Sequence, residues 1–404
     1  MPATAHLSTA LDRLLSDLPE ELRALDEQGL RRRLVTIEGI DGVRVRVEGR
    51  DVVSWCSNDY LGLSMHPRLA EAAAKAAATD GVGARGSRLL AGTTRWHSRL
   101  EEALADWFHA EGALVFSSGY LANLGTLQAL LSSQDAVFVD RLAHASLLDA
   151  ARSSGATFRV FRHHDPEHLD TLLSRASRHR RRMIVTEGVF SMDGDQPPLD
   201  VFLAVAERYG AILYLDDAHG AFVLGATGRG TPEAAGISHD RFLYMGTLGK
   251  ALGCQGGFVI GPRALIEALQ NRARSFIYET APAVPVVAAA LEALHVLAES
   301  PQLRDALRQR VMRLHERLAA IVTLPHDASH IVPLLLCDAR RALETSRRLW
   351  ERGVWAPAIR PPTVPRGTAR LRLSVTALHT EAHIDHLIGA LRECGMFPNS
   401  ELQW

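Results

Sequence analysis

Between about residue 100 and residue 285 the chain alternates short apolar runs with helix-like stretches: ALVF (113–116), AVFV (136–139), FRVF (158–161), MIVT (183–186), AILYL (211–215), FLYM (242–245) and GFVI (257–260). Apolar strands need cover on both faces, and the helices between them supply it. The pattern therefore predicts an α/β fold with a mainly parallel central sheet. Open sheets of this kind bind ligands beyond the carboxyl ends of their strands. The motif residues of this sequence lie at those ends.

Beyond Pro285 the pattern changes to a long Ala- and Leu-rich helical stretch running to about residue 322. IVPLLL (331–336), a helix near 340–352 and RLRLSV (370–375) follow, which reads as a smaller α+β C-terminal domain. The first 55 residues read as an amphipathic helical arm and a short hairpin around GIDGVRVRVEGRDVV. The expected limits are thus 1–55 for the arm and hairpin, 56–285 for the large domain and 286–404 for the small one. No internal repeat, low-complexity tract or transmembrane span stands out.

A length of 404 residues, 47% of them hydrophobic and 23% charged, suits a globular chain with a large core. A net charge of -1 gives no long-range attraction to nucleic acid or anionic membrane. The dense basic runs, Arg31–Arg33 and the cluster Arg175, Arg178, Arg180, Arg181 and Arg182, lack interleaved aromatics. The second reads as a solvated helix end before the MIVT strand. Cys56, Cys254, Cys337 and Cys394 are far apart and no apolar signal segment opens the chain, so a reduced, cytoplasmic protein is expected. The 18 histidines show no H-E-x-x-H or comparable ligand rhythm, and no metal is expected.

Lys250 carries the strongest chemical signal. It stands in YMGTLGKALGCQGG (244–257), just past a strand end and flanked by Gly246, Gly249 and Gly253. A P-loop would need G-x-x-x-x-G-K-[ST], but Tyr244 holds the first glycine position and Ala251 the hydroxyl position. A lysine half-buried among small residues reads instead as a reactive amine, able to form a Schiff base once deprotonated.

Other groups agree with that reading. Asp216 and Asp217 follow AILYL, and strand alternation lets only one of them face a ligand. A carboxylate there suits a protonated pyridinium nitrogen, as a pyridoxal phosphate enzyme requires. His219 is placed to reach the cofactor's phenolic oxygen. VFSSGYLANLGTL (115–127) passes from strand to helix through Ser117, Ser118, Gly119 and Tyr120, leaving free N–H groups that suit a phosphate, and Thr247 adds a hydroxyl. His144, beyond AVFVD, is a candidate to stack on the ring and serve as an acid. Ser191 and Asp193 follow the MIVTEG strand as further contacts. Arg360, stiffened by Pro361, Pro362 and Pro365, suits a carboxylate. Taken singly, each motif also has a structural reading, as a helix cap, a core histidine or a surface arginine.

Together, SNDYLGLS (57–64), GARGSRLLAGT (83–93), SSGYLAN (117–123), DRLAHASLLDAA (140–151), TEGVFSMDGD (186–195), LDDAHG (215–220), GTLGKALG (246–253) and AIRPPTVPRGTARLRLS (358–374) resemble the α-oxoamine synthases, a branch of fold-type I pyridoxal phosphate enzymes, over nearly the whole chain. The resemblance implies that Lys250 holds pyridoxal 5'-phosphate, Asp216 pairs with its ring nitrogen and His144 stacks on the ring. It implies that His219 and Ser191 meet the phenolic oxygen, and that Gly119, Tyr120 and Thr247 approach the phosphate. It further implies a homodimer with shared active sites and Thr280 as a contact to the partner's phosphate, although Glu279 departs from the small hydroxyl residue usual beside it. Arg360 and Asn58 would line the amino-acid pocket. The AIRPPTVP and TARLRL segments look most like the alanine-using branch of biotin synthesis. That branch joins L-alanine to a pimeloyl thioester of coenzyme A or acyl-carrier protein. Glycine- and serine-using members, an aminotransferase and a non-catalytic cofactor sensor are the alternatives.

Overall fold

The computed structural model describes residues 5–324 and 329–395, so the outermost ends of the expected arm and small domain lie outside the described residues. The chain forms two compact units. One comprises 57–311 with 376–378, and the other comprises 1–56, 312–375 and 379–404. This division differs from the expected limits, because the N-terminal segment clusters with the C-terminal one and residues 286–311 cluster with the large unit.

In chain order, α1 (Ala5–Glu27) precedes three strands, β1 (Ile37–Asp41), β2 (Arg44–Val47) and β3 (Arg50–Ser54). Glu48 and Gly49, both at positive φ (51° and 72°), form the two-residue turn between β2 and β3, matching the twist that a tight hairpin needs. The expected hairpin is therefore a three-stranded meander.

The large unit then runs through α2 (Pro67–Asp80), α3 (Arg95–Phe108), β4 (Gly112–Phe116), α4 (Gly119–Leu130), β5 (Ala136–Asp140), α5 (Ala145–Ser153), β6 (Thr157–Phe161), α6 (Pro166–Ser174), β7 (Arg182–Glu187), α7 (Leu199–Tyr209), β8 (Ile212–Asp216), α8 (Thr231–Ala234), β9 (Leu243–Thr247), β10 (Gly257–Gly261), α9 (Arg263–Arg272), α10 (Arg274–Ile277) and α11 (Val284–Glu299). Its seven strands lie in the order β4-β10-β9-β8-β7-β5-β6, and β10 alone runs against its neighbours. The predicted mainly parallel sheet is thus observed, and each of the seven apolar runs supplies one of its strands.

Central strands β5, β7 and β8 are buried almost throughout, whereas the edge strand β6 exposes Arg159 and Val160. Val137, Val139, Val185 and Tyr214 pack with Leu127 and Leu147 from the flanking helices in one core. Trp96 of α3 packs on Ala76, Val284 and Ala288, which joins α11 to α2 within this unit.

The expected continuous helix after Pro285 is broken in two. α11 ends before Ser300, which leaves helical geometry (φ -129°, ψ 61°) ahead of Pro301, and α12 (Gln302–Ala319) starts afresh. A residue before proline is driven out of the α region by the pyrrolidine ring. In the small unit β11 (Ile331–Cys337), α13 (Ala339–Trp350), β12 (Val354–Trp355), β13 (Ala358–Ile359), β14 (Ala369–Ser374) and α14 (Glu381–Glu393) follow. They complete a β11-β14-β13 sheet, and β12 adds in parallel to β3 of the meander. Among the described residues no single helix is long and apolar enough to cross a membrane, and the four cysteines are free thiols.

Candidate active site

The polar residues at the carboxyl ends of the parallel strands converge on one cavity of about 180 Å³. At the end of β4, Ser118 caps α4 through its hydroxyl, which accepts the Leu121 N–H at 3.1 Å. The first intrahelical bond runs from Ala122 N to Ser118 O (3.0 Å), so the N–H groups of Gly119 and Tyr120 lie in the first turn, ahead of it. Gly119 touches the end of β10 so closely that a Cβ on Gly257 would meet its Cα at 2.5 Å. At the end of β9, Thr247 donates to Gly256 O (2.9 Å) and accepts from Gly249 N (3.1 Å), which closes the loop that presents Lys250.

Lys250 is half-buried, and its Nζ lies 2.8 Å from His219 Nε2. His219 Nδ1 in turn lies 2.6 Å from the Tyr60 hydroxyl, which donates to Asn58 Oδ1 at 3.1 Å. A continuous polar chain therefore leads from the amine to Asn58. The other lysine of the chain, Lys75, sits exposed on α2 in a wider groove of about 580 Å³. That groove has none of these groups, and its arginines, lysine, glutamates and aspartate give it mixed charge.

Asp216 and Asp217 take opposite roles, as strand alternation requires. Asp216 lines the cavity, accepting from Asn123 Nδ2 (2.7 Å) and from the Ala218 N–H (3.0 Å). Asp217 is fully buried, bound by the Thr231 N–H and hydroxyl and the Tyr244 hydroxyl. Burial pushes its carboxyl up to about 7.

His144 caps α5, and its backbone N–H donates to Glu187 Oε1 at 2.6 Å. Burial lowers the His144 imidazole from its ordinary range, against the pull of the Asp216 carboxylate. Burial and the neighbouring Asp216 push the Glu187 carboxyl well up.

The structure brings Gly119, Tyr120, His144, Asp216, His219, Thr247 and Lys250 to the cavity lining. Tyr120 is partly exposed and donates its hydroxyl to Asp149. Ser191 is not among the lining residues, and its backbone N–H donates to Glu187. Thr280 is exposed. Its backbone bridges to Ser87, and its carbonyl accepts from the Ser117 hydroxyl at 3.3 Å. Arg360 belongs to the small unit, where its guanidinium donates to the carbonyls of Gly29 and Arg31.

Sequence reading gave no role to Asn123, Ser146, Glu187 or Tyr60. Each is a polar residue within a motif already noted, and the signal was their interruption of apolar segments. The basic cluster also does more than meet solvent: Arg180 pairs with the buried Asp135 at 2.7 Å, and Arg181 donates to Leu130 O.

His163, His164 and Asp195 place potential metal ligands within 4.8 Å of one another. Both nitrogens of His163 are already engaged, by Asp140 (2.9 Å) and Asp195 (2.8 Å). Those bonds outweigh burial and raise the imidazole to about 9, so the group is satisfied as an imidazolium between two carboxylates.

The cavity matches the chemistry of pyridoxal phosphate group by group. It offers one amine for the aldehyde, one carboxylate for a ring nitrogen and a first helical turn for a phosphate. The family model of class I and II aminotransferases matches residues 50–391. The chain is similar to 8-amino-7-oxononanoate synthase of Methylobacillus flagellatus, 44% identical over 389 residues, covering 96% of this chain and 98% of that one. It is 47% identical to the enzyme of the same name from Anaeromyxobacter dehalogenans, over 92% of this chain and 93% of that one.

Among solved structures, serine palmitoyltransferase from S. paucimobilis with a bound pyridoxal phosphate–myriocin aldimine superposes with a TM-score of 0.89 at 32% identity, covering 94% of this chain and 98% of that one. 8-amino-7-oxononanoate synthase from Francisella tularensis gives 0.74 at 29% identity, covering 85% and 97%. The chain belongs to the 8-amino-7-oxononanoate synthase family of fold-type I, pyridoxal phosphate-dependent acyltransferases.

Proposed function

We propose that this protein condenses L-alanine with a pimeloyl thioester, releasing carbon dioxide and the free thiol and forming 8-amino-7-oxononanoate for biotin synthesis. The observation that carries the reading is the Lys250–His219 pair at 2.8 Å, in a cavity that Asp216 and His144 also line. Identities of 44% and 47% over more than nine-tenths of the chain to relatives of that name support the substrate choice. Bound pyridoxal phosphate supplies a ring that takes up the electrons left at the α-carbon.

The protein's own groups do the rest. The Lys250 amine would hold the cofactor's aldehyde, and its Nζ, when free, would take the α-proton of the substrate. His219 Nε2 keeps that amine at hydrogen-bond distance. Asp216, fixed by Asn123 and Ala218, would offer its carboxylate to the ring nitrogen. Gly119, Tyr120 and Thr247 would hold the phosphate, and His219 and Ser191 are assigned to the phenolic oxygen. Asn58 is assigned to the amino-acid substrate, and Arg360 to a substrate carboxylate. His144 is a further proton-bearing side chain of the cavity.

We infer a cytoplasmic homodimer in which Thr280 reaches the partner's phosphate. Its exposure supports this, as do the exposed apolar side chains of Tyr278 beside it and of Val82 and Leu90 on either side of its bridge partner Ser87. Product mass after incubation with L-alanine and a panel of acyl thioesters tests the assignment. 8-amino-7-oxononanoate with stoichiometric thiol release is expected. Turnover of glycine or serine in preference to alanine overturns it.

A further inference from the structure

We propose that Asn123 and Ser146 are positioning residues that hold His144 as a neutral imidazole with its proton on Nε2, so that His144 acts as a neutral hydrogen-bond donor and not as an imidazolium acid.

The direction of each hydrogen bond can be worked out in turn. Asn123, on α4, is 1% exposed, and its amide has two N–H donors and one acceptor. The Asp216 carboxylate only accepts, so the Asn123 nitrogen must face it, at 2.7 Å. The second N–H then goes to Ser146 Oγ at 2.9 Å, and Oδ1 accepts the Tyr214 hydroxyl at 2.8 Å. The amide is fully used, and no flipped arrangement satisfies the carboxylate.

Ser146, also 1% exposed, has accepted from Asn123 and turns its own proton onto His144 Nδ1 at 2.8 Å. The Ser146 backbone N–H points at the same nitrogen, at 3.2 Å. Nδ1 therefore faces two donors at the amino end of α5, where the helix dipole also opposes positive charge. A proton on Nδ1 would break the backbone bond and force the Ser146 hydroxyl to turn its own proton away. The ring's proton lies on Nε2, which pairs with no protein group among the described residues, on a side chain that lines the cavity.

The titratable groups around this ring are Asp216, Lys250 and Asp149, with Glu187 holding its backbone N–H. Burial and the Lys250 charge favour the neutral form, and the two aspartates oppose it. A neutral N–H in a water-poor site stabilises negative charge that develops on a substrate oxygen without transferring a proton. This catalytic role rests on the proposed function, whereas the proton's position does not.

The test is nitrogen NMR of the holoenzyme carrying ¹⁵N-histidine, with the His144 signals identified by their loss in His144→Asn. One protonated nitrogen, Nε2, and one bare nitrogen, Nδ1, are expected, without titration across the neutral range. Ser146→Ala and Asn123→Ala should mix the tautomers and move the titration toward the ordinary histidine range. Both should lower turnover about tenfold, the factor one hydrogen bond of ordinary net strength carries, and bring a new pH dependence below neutrality. Ser146→Thr, which keeps the hydroxyl, should retain the wild-type ring signals.

A wild-type ring protonated on Nδ1, or ring signals unmoved in both alanine variants, overturns the proposal. Should those variants not fold, the wild-type spectrum decides alone. Absence of alanine turnover would sink the proposed function and leave this result standing.

Discussion

Replacing Asp217 by asparagine is expected to stabilise the protein relative to wild type progressively as pH rises. The carboxylate is 0% exposed, with Oδ2 accepting from Thr231 N (2.8 Å) and Tyr244 Oη (2.9 Å) and Oδ1 accepting from the Thr231 hydroxyl (2.6 Å). Space around it is closed by Gly188, Gly220 and Gly230, where an added Cβ would lie 2.0–2.1 Å from its oxygens. Burial outweighs the three bonds and lifts the carboxyl from 3.8 to about 7.

Between those two values the folded chain binds a proton that the unfolded chain has released, so stability falls as pH rises. At about 1.4 kcal/mol per unit the full loss is about 4 kcal/mol, complete above the folded value. An asparagine keeps the geometry. Its oxygen accepts from Thr231 N and Tyr244, and its NH₂ donates to the Thr231 hydroxyl. The fixed cost of the exchange is about 1 kcal/mol. Urea unfolding followed by tryptophan fluorescence should show the variant gaining roughly 2–3 kcal/mol on wild type between about pH 5 and about pH 8. A stability difference that stays constant with pH would refute the reasoning. Asp216→Asn, on the cavity side, should leave this pH dependence in place and instead cripple turnover.

Three further outcomes follow from the same geometry. Lys250→Ala should abolish the visible, borohydride-reducible absorbance of the purified protein; a retained chromophore would place the cofactor on Lys75, the one other lysine. Gly257→Ala should weaken cofactor binding about ten- to a hundredfold in a fluorescence titration, because its Cβ must displace Gly119 at the head of α4; unchanged affinity would remove that helix end from the phosphate site. Arg88 and Glu101 form a largely buried pair, with both terminal guanidinium nitrogens 2.9 Å from the carboxylate. Glu101→Ala should therefore cost about 3–5 kcal/mol in urea unfolding by stranding the arginine, and a loss below about 1 kcal/mol would contradict that account.

The parts of this protein legible in its sequence are those whose physics is local. A strand buried on both faces has to be apolar along its length, so AVFVD and MIVTE show themselves without reference to anything distant. Lys250 is legible for a related reason: a cation among glycines at a strand end has few structural uses. The Asp216–Asp217 pair is half legible. Alternation says that the two side chains part company, but only the packing of Thr231 and Tyr244, 14 and 27 residues away, shows which one is sealed in.

Asn123, Ser146 and Glu187 are not legible, because each acts through a partner on another strand or helix. Asn123 joins Asp216 across 93 residues, and Glu187 holds His144 across 43. Arg360 is the inverse case. The prolines beside it suggested stiffness, yet its guanidinium is tied to carbonyls of Gly29 and Arg31, about 330 residues back along the chain. Reactive groups in this site thus announce themselves by local composition, while the groups that fix their protons and orientation are set by topology. Those partners decide what the reactive groups can do: His144 read alone is an acid, and His144 read with Ser146 and Asn123 is a neutral donor.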